Sequence, residues 1–166
     1  MADLRALHER LGHHDVRTYL QSGNVVFRAA SAESRLVQDL EAHLADELGV
    51  ESAVVLRSAA AMAAVVAGSP FASRVAGDPS AAKSLHVTFL AAAPPANAFA
   101  ALDPAGHAPD ELVLQGREVH LWCPGGYGRT RLTPAFLERR SRCAATDRGW
   151  NTVVALADLA ADPHSS

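Results

Sequence analysis

Glu111-Leu112-Val113-Leu114-Gln115-Gly116-Arg117-Glu118-Val119-His120-Leu121-Trp122 decides the fold. Two β-rich runs, Glu111 to Leu114 and Glu118 to Trp122, flank a glycine-bearing turn, the pattern of a β-hairpin. Upstream, Ser84 to Leu90 reads as a strand and Pro95 to Leu102 as a helix. Downstream, Thr133 is a good N-cap and Pro134 a welcome first-turn proline, so a helix runs to about Arg140. Ala144 to Thr146 reads as a short strand. Asn151 to Leu159 reads as a last helix with Val153, Leu156 and Leu159 inward. The element order is βαββαβα.

The first half repeats most of that order. Ala2 to Leu11 is a helix stopped by Gly12, and Val16 to Leu20 with Asn24 to Arg28 form a hairpin around Gln21-Ser22-Gly23. Ser31 is the expected cap of a helix with Leu36, Leu40, Leu44 and Leu48 every four residues before Gly49. Ala53 to Arg57 reads as a short buried strand, and Ser58 caps a helix bearing Met62, Val65 and Val66. This αββαβα order matches the second half once a strand is placed ahead of residue 1, as if a split βαβ unit had been duplicated. The expected fold is therefore α+β, with two ferredoxin-like subdomains. The first, 1–68, lacks its N-terminal strand; 69–83 is a Gly, Pro and Ser-rich linker; 84–161 is the second; 162–166 is a tail. On this expectation the chain is truncated, or Met1 is internal to a longer frame. The Ala53–Arg57 strand then has no neighbour, and the Asn24–Arg28 strand has an open edge.

At 166 residues, 49% hydrophobic and 20% charged, the composition is that of a folded globular protein. No apolar run approaches the ~18 residues that cross a bilayer, and Met1-Ala2-Asp3-Leu4-Arg5 is not a signal peptide. Cys123 and Cys143 fall in no CxxC pattern, and the default is reduced thiols in a cytoplasmic protein. The eight histidines make neither an HExxH nor a zinc spacing, so no metal and no cofactor is expected.

Charge reverses locally. From Arg129 to Arg148 six arginines face two acids, in a chain of net charge −3. Fourteen of the fifteen basic residues are arginine, which reflects coding bias, so the clustering carries the argument and the count does not.

Five segments, Thr18 to Phe27, Leu85 to Leu90, Gly126 to Thr133, Phe136 to Arg139 and Arg148 to Val153, together resemble a bacterial family, domain of unknown function 1697. The resemblance implies two ferredoxin-like α+β subdomains and no assigned activity. It also implies an apolar strand and a Gly-rich turn ahead of the Met1–Arg5 segment. Pro134 and Gly149 depart from the asparagine-like residues expected there, and Arg131 from a lysine.

The expected anion site is Tyr127, Gly128, Arg129, Arg131, Thr133 and Arg148, bordered by Ser22, Asn24, Arg139, Trp150 and Asn151. Glycines admit a ligand to the backbone, a helix start offers free N–H groups, and arginine forks suit phosphate or carboxylate. The bland alternatives stand beside it: solvated arginines in a flexible connection, a core role for Trp150, a structural turn at Ser22-Gly23-Asn24. Three functional classes remain. The first is an anion-binding module for a small phosphorylated ligand. The second is an enzyme on a phosphorylated or carboxylated substrate, and the third a structural or protein-interaction domain. Extended nucleic-acid binding is disfavoured by the acidic balance and the 5% aromatic content.

Overall fold

A computed structural model of the chain describes residues 2–20, 23–102 and 104–162. It is an α+β fold with two antiparallel sheets. The first sheet pairs β1 (His14–Tyr19) with β2 (Asn24–Arg28). The second has four strands in the order β4 (Glu111–Gln115), β5 (Glu118–Trp122), β3 (Leu85–Leu90), β6 (Ala145–Gly149). The β4–β5 hairpin runs in register from Glu111 opposite Trp122 to Gln115 opposite Glu118. Gly116 turns it at φ 61°, a conformation that costs glycine nothing.

Helices surround the sheets: α1 (Ala2–Arg10), α2 (Glu33–Leu48), α3 (Ala59–Ala67), α4 (Ala72–Gly77), α5 (Pro104–His107), α6 (Pro134–Ser141) and α7 (Trp150–Ala161). Two caps form as the residues predict. Ser58 Oγ accepts from Ala61 N at 3.1 Å, and Thr133 Oγ1 accepts from Phe136 N at 3.2 Å. Ser31 is not the cap of α2: Ala32 holds that position and offers no side-chain acceptor.

Strand alternation gives the larger sheet two buried faces. Leu85, Val87 and Phe89 of β3 look toward α3 and α7, packing with Met62, Val65, Phe71, Trp150 and Val153. Leu90, Val119, Leu121 and Cys123 lie on the other face, covered by Leu132 and Leu137. His86 and Thr88, in alternation with Val87, share this second face.

Three expected elements differ. Ala53 to Arg57 is not a strand. The Val54 N–H donates to Glu41 Oε1 at 2.9 Å, and Arg57 turns inward to the second sheet. There its Nη2 donates to Leu90 O at 2.7 Å and Arg117 O at 3.0 Å. Pro95 to Leu102 is not a helix but a chain of i→i+3 turns, Ala98 N to Pro95 O, Ala100 N to Asn97 O and Leu102 N to Phe99 O. Phe99 of this stretch packs against the Leu90, Val119 and Leu121 cluster, and the helix of this connection is the short α5. Residues 69–83 carry α4 and a 3-10 turn, Pro79–Ser84, and contribute buried Phe71 and Ala82 to the core. No helix among the described residues is long and apolar enough to cross a membrane.

Candidate functional site

The segment after β5 alternates in burial. Thr130 and Leu132 point in, and Arg129, Arg131 and Thr133 point out. Thr130 anchors the alternation: its Oγ1 donates to Asp110 Oδ2 at 2.8 Å and accepts from Leu132 N at 3.1 Å. Gly128 is exposed in the 3-10 turn Tyr127–Arg129. At the far end of α6, Arg139, Arg140 and Arg142 line an open cleft with Pro95, Asn97 and Ala98, about 460 Å³ in volume. The α6 acid is engaged elsewhere, since Glu138 Oε1 accepts from Ala145 N at 2.9 Å.

Arginines outside this segment are mostly matched. Arg5, Arg10, Arg28, Arg35, Arg57, Arg74 and Arg117 pair with Glu9, Glu47, Asp15, Asp39, Glu118, Glu111 and Glu33. Arg17 donates to Leu159 O at 2.7 Å. Among the described residues Arg129, Arg131, Arg139, Arg140 and Arg142 have no carboxylate within salt-bridge distance. The local charge excess is not cancelled by folding.

Arg148 stands apart from them. It lies opposite Val87 in the β3–β6 pairing, which puts its side chain on the α3–α7 face. Its Nε donates to Asn24 Oδ1 at 2.7 Å, and its Nη1 donates to Thr146 Oγ1 at 2.6 Å and Asp147 O at 2.7 Å. Burial holds its guanidinium below the usual arginine value, with Asp147 opposing the shift. Asn24, itself buried, donates to Tyr19 O at 3.1 Å. Arg148 therefore fastens β6 to the start of β2, on the face of the sheet opposite Tyr127, and does not converge with Arg129. Trp150 is a core residue, Asn151 is exposed on α7, and Ser22 lies outside the described residues.

On the second face the fold assembles a group that the sequence alone did not point to. His86 Nδ1 sits 2.7 Å from Asp147 Oδ2, and Thr88 Oγ1 donates to Asp147 Oδ1 at 3.1 Å. The Tyr127 ring stacks on His86, with centroids 4.1 Å apart and planes within 12°. Its hydroxyl is buried beside Asp147, and burial followed by the Asp147 charge raises its pKa. Cys123 is fully buried at the same end of the sheet; burial pushes its thiol up to about 11, so it is protonated and unreactive at neutral pH. The signal was strand order. Adjacency of β3 and β6 is what brings His86 to Asp147, 61 positions away. Among the described residues no group of three His, Cys, Asp or Glu side chains is placed to hold a metal.

The sequence profile of the family described as "Protein of unknown function (DUF1697)" matches residues 1–120. The chain belongs to this family. The matched span of this DUF1697 member ends before Gly126, so the arginine segment lies beyond it. Its fold is similar to that of a solved structure, the conserved bacterial protein SP0830 from Streptococcus pneumoniae. The TM-score is 0.70 at 19% identity, over 98% of this chain and 89% of the other. No curated protein sequence matches this DUF1697 member.

Proposed function

We propose that the chain is an anion-binding module for a small phosphate- or carboxylate-bearing ligand, taken up at the cleft lined by Arg139, Arg140 and Arg142. The carrying observation is that five arginines clustered around α6 lack carboxylate partners, while seven elsewhere have them. Exposed Arg129 and Arg131, at the other end of the same helix, add to the positive field. A cleft of about 460 Å³ suits a small ligand rather than a macromolecular groove. Arg148 drops out of the site as a structural residue, and Thr133 serves as the α6 cap.

The strand order β4-β5-β3-β6, antiparallel throughout, supports a ferredoxin-like unit for residues 84–161. The 1–68 division is topological, because α3 packs across it onto α7. Free Cys123 and Cys143 fit a cytoplasmic protein.

The test is thermal unfolding of the full chain with inorganic phosphate, with a nucleoside monophosphate and with a short oligonucleotide. A ligand at ~100 times its dissociation constant adds about 2.7 kcal/mol. That gain should vanish in Arg139→Ala/Arg142→Ala, while the unliganded melting temperature stays put, since neither residue has an internal acidic partner. A gain that persists in the double variant, or no gain with any probe, sinks the reading. An oligonucleotide effect falling with a log–log salt slope of roughly 0.9 per duplex phosphate contact would favour nucleic acid instead.

A further inference from the structure

We propose that His86 is a proton-accepting site for a bound alcohol or water hydroxyl, with Asp147 as the positioning residue that holds its ring. The inference is independent of the anion cleft, which lies at the C-terminal end of α6. It stands on the geometry of the pair. Both oxygens of Asp147 are acceptors here, Oδ1 from Thr88 Oγ1 and Oδ2 facing His86 Nδ1, so the neutral ring is placed to donate its Nδ1–H. That fixes the tautomer with a bare lone pair on Nε2. Among the described residues Nε2 has no hydrogen-bond partner, and the side chain keeps 16% of its surface open.

Three neighbours shape this position. Tyr127 covers one ring face by stacking, which fixes the ring plane. Gly149, opposite His86 in the β3–β6 pairing, leaves the Cε1 edge uncovered, and a Cβ there would sit 3.7 Å from Cε1. The Tyr127 hydroxyl is buried on the same face, beside the Asp147 carboxylate. The charged or titratable side chains around His86 are Asp147, Tyr127, Cys123 and, beyond Cys123, Asp110; Cys123 is held as a neutral thiol. A Cys–His nucleophile is thereby excluded as the chemistry of this cluster.

The step is a proton transfer. The O–H bond of the bound hydroxyl breaks as Nε2–H forms, leaving an oxyanion and an imidazolium whose charge Asp147 balances. A neutral imidazole oriented by a carboxylate is suited to this role.

Two measurements on the full chain test it. The first is the ¹⁵N spectrum of His86 across pH 5 to 8. The second is the carbethoxylation of His86 by diethyl pyrocarbonate, mapped by mass spectrometry with exposed His14 as internal reference. At neutral pH we expect the Nδ1–H tautomer and carbethoxylation of His86. Reaction should be at least about tenfold slower in Asp147→Asn, where the amide can reverse the tautomer. Gly149→Ala should slow modification without changing the tautomer, because it only covers the ring edge. Should Asp147→Asn fail to fold, the wild-type tautomer and its reactivity decide alone. A ring protonated on Nε2 when neutral, or a His86 untouched while His14 reacts, would reduce the pair to a strut between β3 and β6 and overturn the proposal.

Discussion

Arg57 Nε donates to Glu118 Oε1 at 2.7 Å, and the two side chains are only 4% and 15% exposed. This pair joins the chain leaving the first sheet to the turn of the β4–β5 hairpin. The same guanidinium serves the Leu90 and Arg117 carbonyls and lies over the Phe89 ring at 5.5 Å.

Arg57→Ala strands a buried carboxylate and removes a donor from the Leu90 and Arg117 carbonyls, the second of which keeps the Leu90 N–H. Breaking such a pair from one side costs about 3–5 kcal/mol, a large part of a domain's net stability. Urea denaturation should register a fall of this size. A loss under 1 kcal/mol would mean that water replaces the guanidinium there.

Asn24 and Arg148 form the second tie between the halves. Asn24→Ala should cost about 1–3 kcal/mol, because the buried guanidinium loses an acceptor. In a double-mutant cycle with Arg148→Ala the two losses should be less than additive. Phosphate-dependent stabilisation should be unchanged in either variant, separating this arginine from those of α6.

The α1–β hairpin junction should be acid-sensitive. His8 is buried against Phe27 and shares a 2.9 Å Nδ1–Nδ1 contact with His13, so one ring donates and the other accepts. Burial, then the His13 charge, lowers the His8 pKa to about 4 from 6.5. The folded state thus binds its proton later than the unfolded chain. The contribution is fully present above pH 6.5 and is lost as pH falls toward 4, by about 3 kcal/mol in all. Urea midpoints at pH 7.5 and 4.5 should differ accordingly, and His8→Leu should flatten the dependence. An unchanged slope in that variant would place the acid sensitivity elsewhere.

The two thiols should separate under native alkylation. Cys143, partly exposed, should react with iodoacetamide at pH 8; Cys123, buried with its pKa near 11, should not until the protein unfolds. Equal labelling of both would require opening of the β5 end of the sheet.

Local pattern carried much of this fold into view. Leu36, Leu40, Leu44 and Leu48 announced α2, and Gly116 announced the β4–β5 hairpin, because each signal resides in neighbouring residues. Ala53 to Arg57 misled for the same reason. Its β-branched run has strand propensity, but a strand needs a partner edge, and here Val54 finds the Glu41 carboxylate instead. Arg57 and the His86–Asp147 pair depend on partners 33 to 61 positions away, which no local window contains. The arginine cluster was legible as charge. Its division into Arg148 inside and five residues outside was not, because strand alternation decided it.

One small bond bears on how tightly any ligand of α6 can be held. Glu138 receives the Ala145 N–H, which ties the last turn of the helix to the first residue of β6. The helix cannot roll about its axis without breaking that bond, so the bearing of Arg139 and Arg140 is set before anything arrives. The entropy lost on association is then confined to the flexible ends of a few long side chains. Glu138→Gln keeps an acceptor for the bond and preserves that readiness. Glu138→Ala frees the helix, and its effect on affinity would measure what prior alignment is worth.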